Sequence, residues 1–293
     1  MAIPNQAATT RAEPGPRRAY SRRRPNVPAG VLSTVWLLVV MVPIYWVVIT
    51  SFKSSAGYYQ SNAMAPPTDP TLENFQLVIA SDFVQYFGNS VVITVGAVVP
   101  AVLMSFMCAF AIVRGGTGRY LRGVNALFLM GLAIPLQATI IPVYLIIIRL
   151  GLYDTLRGLI LPSMAFALPL TILILSNFIR DVPNELFESM RLDGATEWGT
   201  MWRLAFPLTR PALVTVTIYQ ALVVWNAFLL PLVLTQSPDK RVLPLALWSF
   251  QGQYSVNIPA VLASVILTTL PILVLYVVGR RQLLSGLTAG FTK

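Results

Sequence analysis

The sequence predicts an all-α integral membrane protein with six transmembrane helices and a polar cytoplasmic loop between the fourth and the fifth. Three observations carry this expectation. Mean hydropathy is +0.69, and 56% of the 293 residues are hydrophobic against 11% charged. Windows free of Asp, Glu, Lys and Arg recur six times at the roughly 20 residues a bilayer crossing needs. The acidic residues cluster instead: five of the eleven lie between Asp181 and Glu197.

The windows are 29–52, 83–113, 123–148, 158–179, 211–238 and 242–279. Arg22, Arg23 and Arg24 precede the first, as in a signal peptide, but its apolar core from Val31 to Thr50 exceeds the roughly 7 to 15 residues of a signal segment, so it reads as an uncleaved helix. Residues 1–28, rich in Arg and Pro, read as a disordered, basic cytoplasmic tail, and 29–293 as one membrane domain. The sixth window is longer than one crossing. Gln251, Gly252, Gln253 and Asn257 interrupt its first half, which places a loop at 243–257 and a helix at 258–279.

Lys and Arg set the orientation. One side collects six in the tail, three in 114–122, four in 180–210 and three in 280–293; the other holds Lys53, Arg149, Arg157, Lys240 and Arg241. Sixteen against five places both termini, and the acidic cluster, in the cytoplasm of a multi-pass cell-membrane protein. The net charge of +10 follows topology and implies no nucleic-acid partner.

Composition also excludes chemistry. There is no histidine and a single cysteine, Cys108, so no metal site, catalytic residue or cofactor is expected. No phosphate-binding Gly-rich loop with its Lys occurs, which leaves the chain without that route to ATP. No ionisable residue falls inside a window, which argues against proton relays and ion-coupled transport. Pro43, Pro100, Pro135, Pro142, Pro162, Pro169, Pro231 and Pro271 do fall inside windows. Each frees a carbonyl that a neighbour or water must satisfy, consistent with packed kinks or with a flexible polar passage. Gln137 and Asn226 suit the lining of such a passage and interhelical hydrogen bonds equally.

In the acidic stretch Pro183 fits a helix start, and Glu185 favours the positive end of the helix dipole. Leu186, Phe187 and Met190 give the run 184–193 an apolar face. Asp193-Gly194 then stops it, glycine taking the left-handed conformation. A second helical run, 197–204, ends against Phe206-Pro207. By itself this is a short helix pair that could rest on the membrane surface.

Its spacing resembles the EAA loop of ABC importer permeases, E-A-A-x3-G-x9-I-x-L-P. Glu188, Gly194 and Pro207 stand at matching positions with Arg191, Asp193 and Ala195 between or beside them, and the chain departs at Ser189, Met190 and Phe206. "LGLYDTLRGLILP" (150–162), Asn89-Ser90, "WNAFLLPL" (225–232) and the ending "GLTAGFTK" are similar to the smaller permease of maltose-type carbohydrate importers. The resemblance implies that 181–207 is a coupling loop between spans four and five, seated in an ATPase cleft through Glu185, Glu188, Met190, Arg191, Asp193, Gly194, Ala195 and Pro207. It further implies a second permease subunit, two ATPase subunits that hydrolyse ATP, an extracytoplasmic solute-binding protein and a saccharide substrate, with most sugar contacts in the larger permease. Segments 54–82 and 236–257 would face the binding protein, the second offering Gln236, Asp239, Gln251, Gln253 and Tyr254 to sugar hydroxyls. An ABC permease for a glycerophosphodiester or peptide, a sodium-coupled transporter and a non-transporting scaffold are the alternatives.

Overall fold

The computed structural model describes residues 26–116, 118–246 and 256–289. The chain divides into two units, Met1–Ile44 and Tyr45–Lys293. In the first, residues 27–44 are helical and expose their apolar side chains. No β-strand occurs among the described residues. Four helical stretches are long and apolar enough to cross a membrane: α1 (Val27–Ser51), Glu73–Arg114, α7 (Leu156–Arg180) and Ile258–Val277, the last within α14 (Ile258–Ala289). Counting each of two bent helix pairs as one crossing brings the number to six. Helix α1 begins two residues ahead of the predicted boundary at 29, and α14 runs beyond the predicted end at 279.

The core of the second unit is α4 (Val84–Arg114) against α7, its most extensive helix pairing. Apolar helices in lipid gain little from burying one another, so close packing must hold them, and small side chains permit it. On α4, Ala97, Ala101, Ser105 and Ala109 recur every four residues and are fully buried. They let large neighbours such as Phe106 on α4 and Leu159, Ile172 and Leu175 on α7 pack into one cluster. The opposite face of α4 shows Val92, Val95, Val99 and Leu103, a purely apolar stripe suited to lipid. Helix α11 (Arg210–Trp225) packs on α4, α7 and α14.

Three predicted windows are less regular than a single rod. The second is preceded by α2 (Ser55–Gln60) and α3 (Glu73–Val78). Helix α3 joins α4 through a kink where Asp82 takes φ 58°. Lys53, just past α1, is buried and donates to Ser61 Oγ and the Asn62 carbonyl at the end of α2.

The third window is two helices, α5 (Arg119–Gly131) and α6 (Leu136–Arg149), bent by 107°. Proline disfavours helical geometry in the residue before it, so Ile134-Pro135 ends one helix and starts the next. The fifth window breaks at Asn226, with α12 (Leu229–Leu234) following. The region read as loop 243–257 contains a helical turn, α13 (Leu243–Ala246); residues 247–255 lie outside the described residues.

Candidate functional site

The acidic stretch folds as expected in its first half. Helix α8 (Asn184–Leu192) starts after Pro183 and closes at Gly194, φ 77°. The Gly194 N–H donates to the Arg191 carbonyl (3.0 Å) and the Ala195 N–H to the Met190 carbonyl (2.9 Å). This paired closure satisfies two carbonyls that the helix end would orphan, and it needs the left-handed residue that glycine supplies. Met190, Arg191, Gly194 and Ala195 thus share one local structure.

The second half differs from expectation. Thr196 caps α9 (Glu197–Thr200), its Oγ1 accepting from the Gly199 N–H (3.1 Å). The chain then stays helical through Phe206-Pro207 to Leu208, via a wider turn at Met201–Ala205 and α10 (Phe206–Leu208). The Phe206 N–H reaches back five residues to the Met201 carbonyl, and Pro207 has no N–H to satisfy. This widening lets proline sit inside a helix rather than end it. The bend comes one turn later: Thr209 separates α10 from α11, and the helical pair turns by 75°.

One face of this helix pair is locked to the end of α4. Phe187 is buried beneath the Arg114 guanidinium, 4.0 Å from its ring centroid, and Arg114 Nη1 donates to Asn184 Oδ1 (2.8 Å). Trp198, Trp202, Phe206 and Phe106 form a chain of ring contacts at 5.2 to 5.8 Å. Arg191 bonds Glu197 Oε1 through Nη2 (2.7 Å) and Nε (3.2 Å), bridging the two short helices. Between loop and α4 lies a cleft of about 620 Å³, lined by Phe110, Arg114, Arg191, Glu197, Trp198 and Met201.

The other face is free. Glu185, Glu188 and Asp193 are exposed, and Glu188 forms no ion pair or hydrogen bond among the described residues. Leu192 is 89% exposed and Leu186 40%. Of the apolar face expected from Leu186, Phe187 and Met190, only Phe187 is buried. Large apolar side chains beside unpaired carboxylates make a surface with a hydrophobic centre and a charged margin, the composition of a protein contact. Arg114, Leu192 and Trp198 were not recognised in the sequence. Arg114 had read only as a topology charge.

A second constellation holds the segment 236–243. Asp154, at φ 56°, accepts from the backbone N–H of Gln236 (2.8 Å) and Ser237 (3.0 Å) and from the Ser237 hydroxyl. The Ser237 hydroxyl first, then the Gln236 N–H, hold its carboxyl below the usual carboxylate range. From α4, Asn89 Nδ2 donates to the carbonyls of Asp239 (2.9 Å) and Arg241 (2.8 Å), and Ser90 Oγ accepts from the Leu243 N–H (3.0 Å). Gln236 and Asp239 are left exposed at its tip. Gln251, Gln253 and Tyr254 lie outside the described residues.

Gln137 and Asn226 are both exposed. Asn226 Nδ2 donates to the carbonyl of Leu222 in its own helix (2.8 Å), so it serves as a helix cap there. Neither residue lines the cavities on α11 that its neighbours Tyr219, Gln220 and Ala227 do.

Comparison with known families decides the lineage: residues 101–282 match the binding-protein-dependent transport system inner membrane component. The chain belongs to this family. Among relatives of this permease, the diacetylchitobiose uptake system permease protein DasC of Streptomyces coelicolor is 35% identical, over 94% of this chain and 99% of its own. The trehalose transport system permease protein SugB of Mycobacterium tuberculosis is 32% identical over 90% and 96%. A chain of a bacterial ABC transporter involved in import of the acidic polysaccharide alginate superposes with a TM-score of 0.78 at 22% identity, covering 91% of this permease and 99% of that chain. That likeness establishes the shared fold.

Proposed function

We propose that this permease subunit conducts a saccharide inward within an ATP-binding cassette importer. A second permease completes the pathway, two ATPase subunits drive it, and an extracytoplasmic binding protein delivers the sugar. The saccharide uptake systems named for its relatives support the substrate class. The observation that carries the mechanism is the split character of α8: one face clamped to α4 by Arg114 and Phe187, the other offering unpaired Glu188 beside bare Leu192.

A helix fixed to the bundle on one side and docked in an ATPase cleft on the other passes force directly to α4. Loop 181–207 is then the coupling element on the cytoplasmic face, with both termini on that face, 1–28 its basic tail and 29–293 the permease domain. On the outer face, the tip at Gln236 and Asp239 meets the binding protein. ATP hydrolysis resides in the partners.

Replacing Glu188 by Lys opposes like charges in the cleft, where losing one partner of a desolvated ion pair costs about 2 to 5 kcal/mol. A side chain at Gly194 costs roughly 1 to 2 kcal/mol in the left-handed conformation and turns α9 away. Glu188→Lys and Gly194→Val are expected to insert normally and to abolish uptake, the first with loss of ATPase co-purification and the second with hydrolysis poorly coupled. Near-normal uptake in both would return the helix pair to the membrane surface.

A further inference from the structure

The break between α5 and α6 opens onto a cavity of about 440 Å³, walled by Leu132, Ile134 and Thr139 at the break, Phe166 on α7, and Tyr219 and Gln220 on α11. Its depth follows from the chain. Phe166 lies near the middle of α7, Tyr219 is nine residues past Arg210, and the break lines the same cavity as both. Nine residues of helix rise about 14 Å, close to half of a hydrocarbon core of about 30 Å. Three elements therefore converge near the membrane midplane.

Non-helical backbone at that depth persists only when it is covered by protein or lines water, because lipid satisfies no N–H or C=O. Leu132 and Ile134 are 43% and 54% exposed, so this chain does not cover the break. The N–H groups of Leu132, Ala133 and Ile134 bond back to the carbonyls of Leu129, Met130 and Gly131, and that of Ala138 to the Pro135 carbonyl. That leaves Leu136 and Gln137 at the start of α6, where Pro135 supplies no side-chain cap, without a partner inside the helix.

The cavity also carries polar atoms suited to hydroxyl groups. Gln220 is 4% exposed, with Nε2 held by the Ala167 carbonyl (3.3 Å) and Thr171 Oγ1 (3.1 Å) on α7. That grip fixes the amide and leaves Oε1 as a free acceptor. The Tyr219 hydroxyl makes no hydrogen bond among the described residues. Thr139 Oγ1 donates to the Leu136 carbonyl and keeps its lone pairs. The stripe of α4 at Val92, Val99 and Leu103 lines no such polar cavity. A few fixed polar groups among aromatic and apolar walls, in a volume within about 300 to 1,000 Å³, is the make-up of a small-molecule site.

We infer that this cavity is a saccharide subsite on the translocation path, with Tyr219, Gln220 and Thr139 contacting the passing sugar. The inference rests on the proposed function. It makes this chain a contributor to substrate selectivity alongside its larger partner, which closes the open side.

Two measurements on the complete transporter in membranes test it. In a Cys108→Ser background, Tyr219→Cys and Thr139→Cys should react with a cationic methanethiosulfonate at least about tenfold faster than Val99→Cys on the apolar stripe, since thiolate forms in water and not in lipid. Equally slow reaction at all three would mean lipid or a packed partner helix fills the space, and would overturn the subsite. Uptake of trehalose, maltose and diacetylchitobiose should then be measured for the native chain, Gln220→Leu and Tyr219→Phe. The ratios among sugars are expected to shift by about threefold or more, as a lost hydrogen bond to one hydroxyl pattern would cause. A uniform fall for all three sugars would assign these residues to packing. Uptake by the native chain of a non-saccharide solute and of none of these sugars would overturn the saccharide class itself, whatever the labelling shows.

Discussion

Asp154 illustrates how much one residue can organise here. It holds a left-handed backbone that side chains with a β-carbon resist by roughly 1 to 2 kcal/mol, and its carboxylate gathers three donors from Gln236 and Ser237. Asp154→Asn keeps an acceptor and tolerates the backbone, so the segment 236–243 should hold. Asp154→Ala loses both. Trypsin cleavage after Lys240 or Arg241 should be several-fold faster in the alanine variant than in the asparagine variant, and equal rates would mean that α4 alone holds the segment. The pH dependence has a definite sign. A carboxyl whose folded value is depressed contributes fully above its unfolded value of about 3.9 and loses that contribution as pH falls through the folded value. Cleavage rate corrected for trypsin activity should therefore be flat from about pH 8 to 5 and rise only in stronger acid.

At the scale of elements, α8 depends on a neighbour distant in sequence. Its only buried large side chain, Phe187, is covered by Arg114 from the end of α4. Phe187→Ala empties a filled site at a cost of about 3 to 5 kcal/mol and should release α8 while its Glu188 face remains intact. The expected outcome is retained ATPase co-purification with hydrolysis no longer tied to uptake, the reverse of Glu188→Lys, which should lose docking. Arg114→Lys keeps the charge but loses the planar stack and the fork to Asn184, so it should show a milder form of the Phe187→Ala defect. Identical phenotypes for Phe187→Ala and Glu188→Lys would mean that the two faces do not act separately.

At the scale of the whole molecule, the orientation proposed from sixteen against five basic residues predicts reporter behaviour. A reporter active only outside the cytoplasm should work when fused near Ala56 and be silent near Glu197; the opposite pattern would invert the topology. The chain should also be inert alone. Helices that leave such a cavity open to the side enclose no path, so the purified subunit in vesicles should neither hydrolyse ATP nor carry sugar.

Apolar content and the Glu188, Gly194 and Pro207 spacing determined the membrane class, the helical fold and the position of the polar helix pair that follows α7, because each depends on composition or on neighbours along the chain. The helix stop at Gly194 was legible for the same reason: a left-handed closure is a local event. Tertiary structure alone decided which faces are used. The 123–148 window is apolar enough to read as one rod, yet its break at Pro135 bends it by 107°, and apolar content does not encode an angle. Leu186 and Phe187 look alike in sequence, and only the packing against the core, with Arg114 over its ring, buries the second. Gln137, Asn226, Gln220 and Thr139 are all polar residues in apolar windows, and only the packed structure separates the two that wall the cavity beside Tyr219 from the two that do not. Helical phase and the packing of α11 on α7 choose among such residues, and both arise from contacts between segments some fifty residues apart.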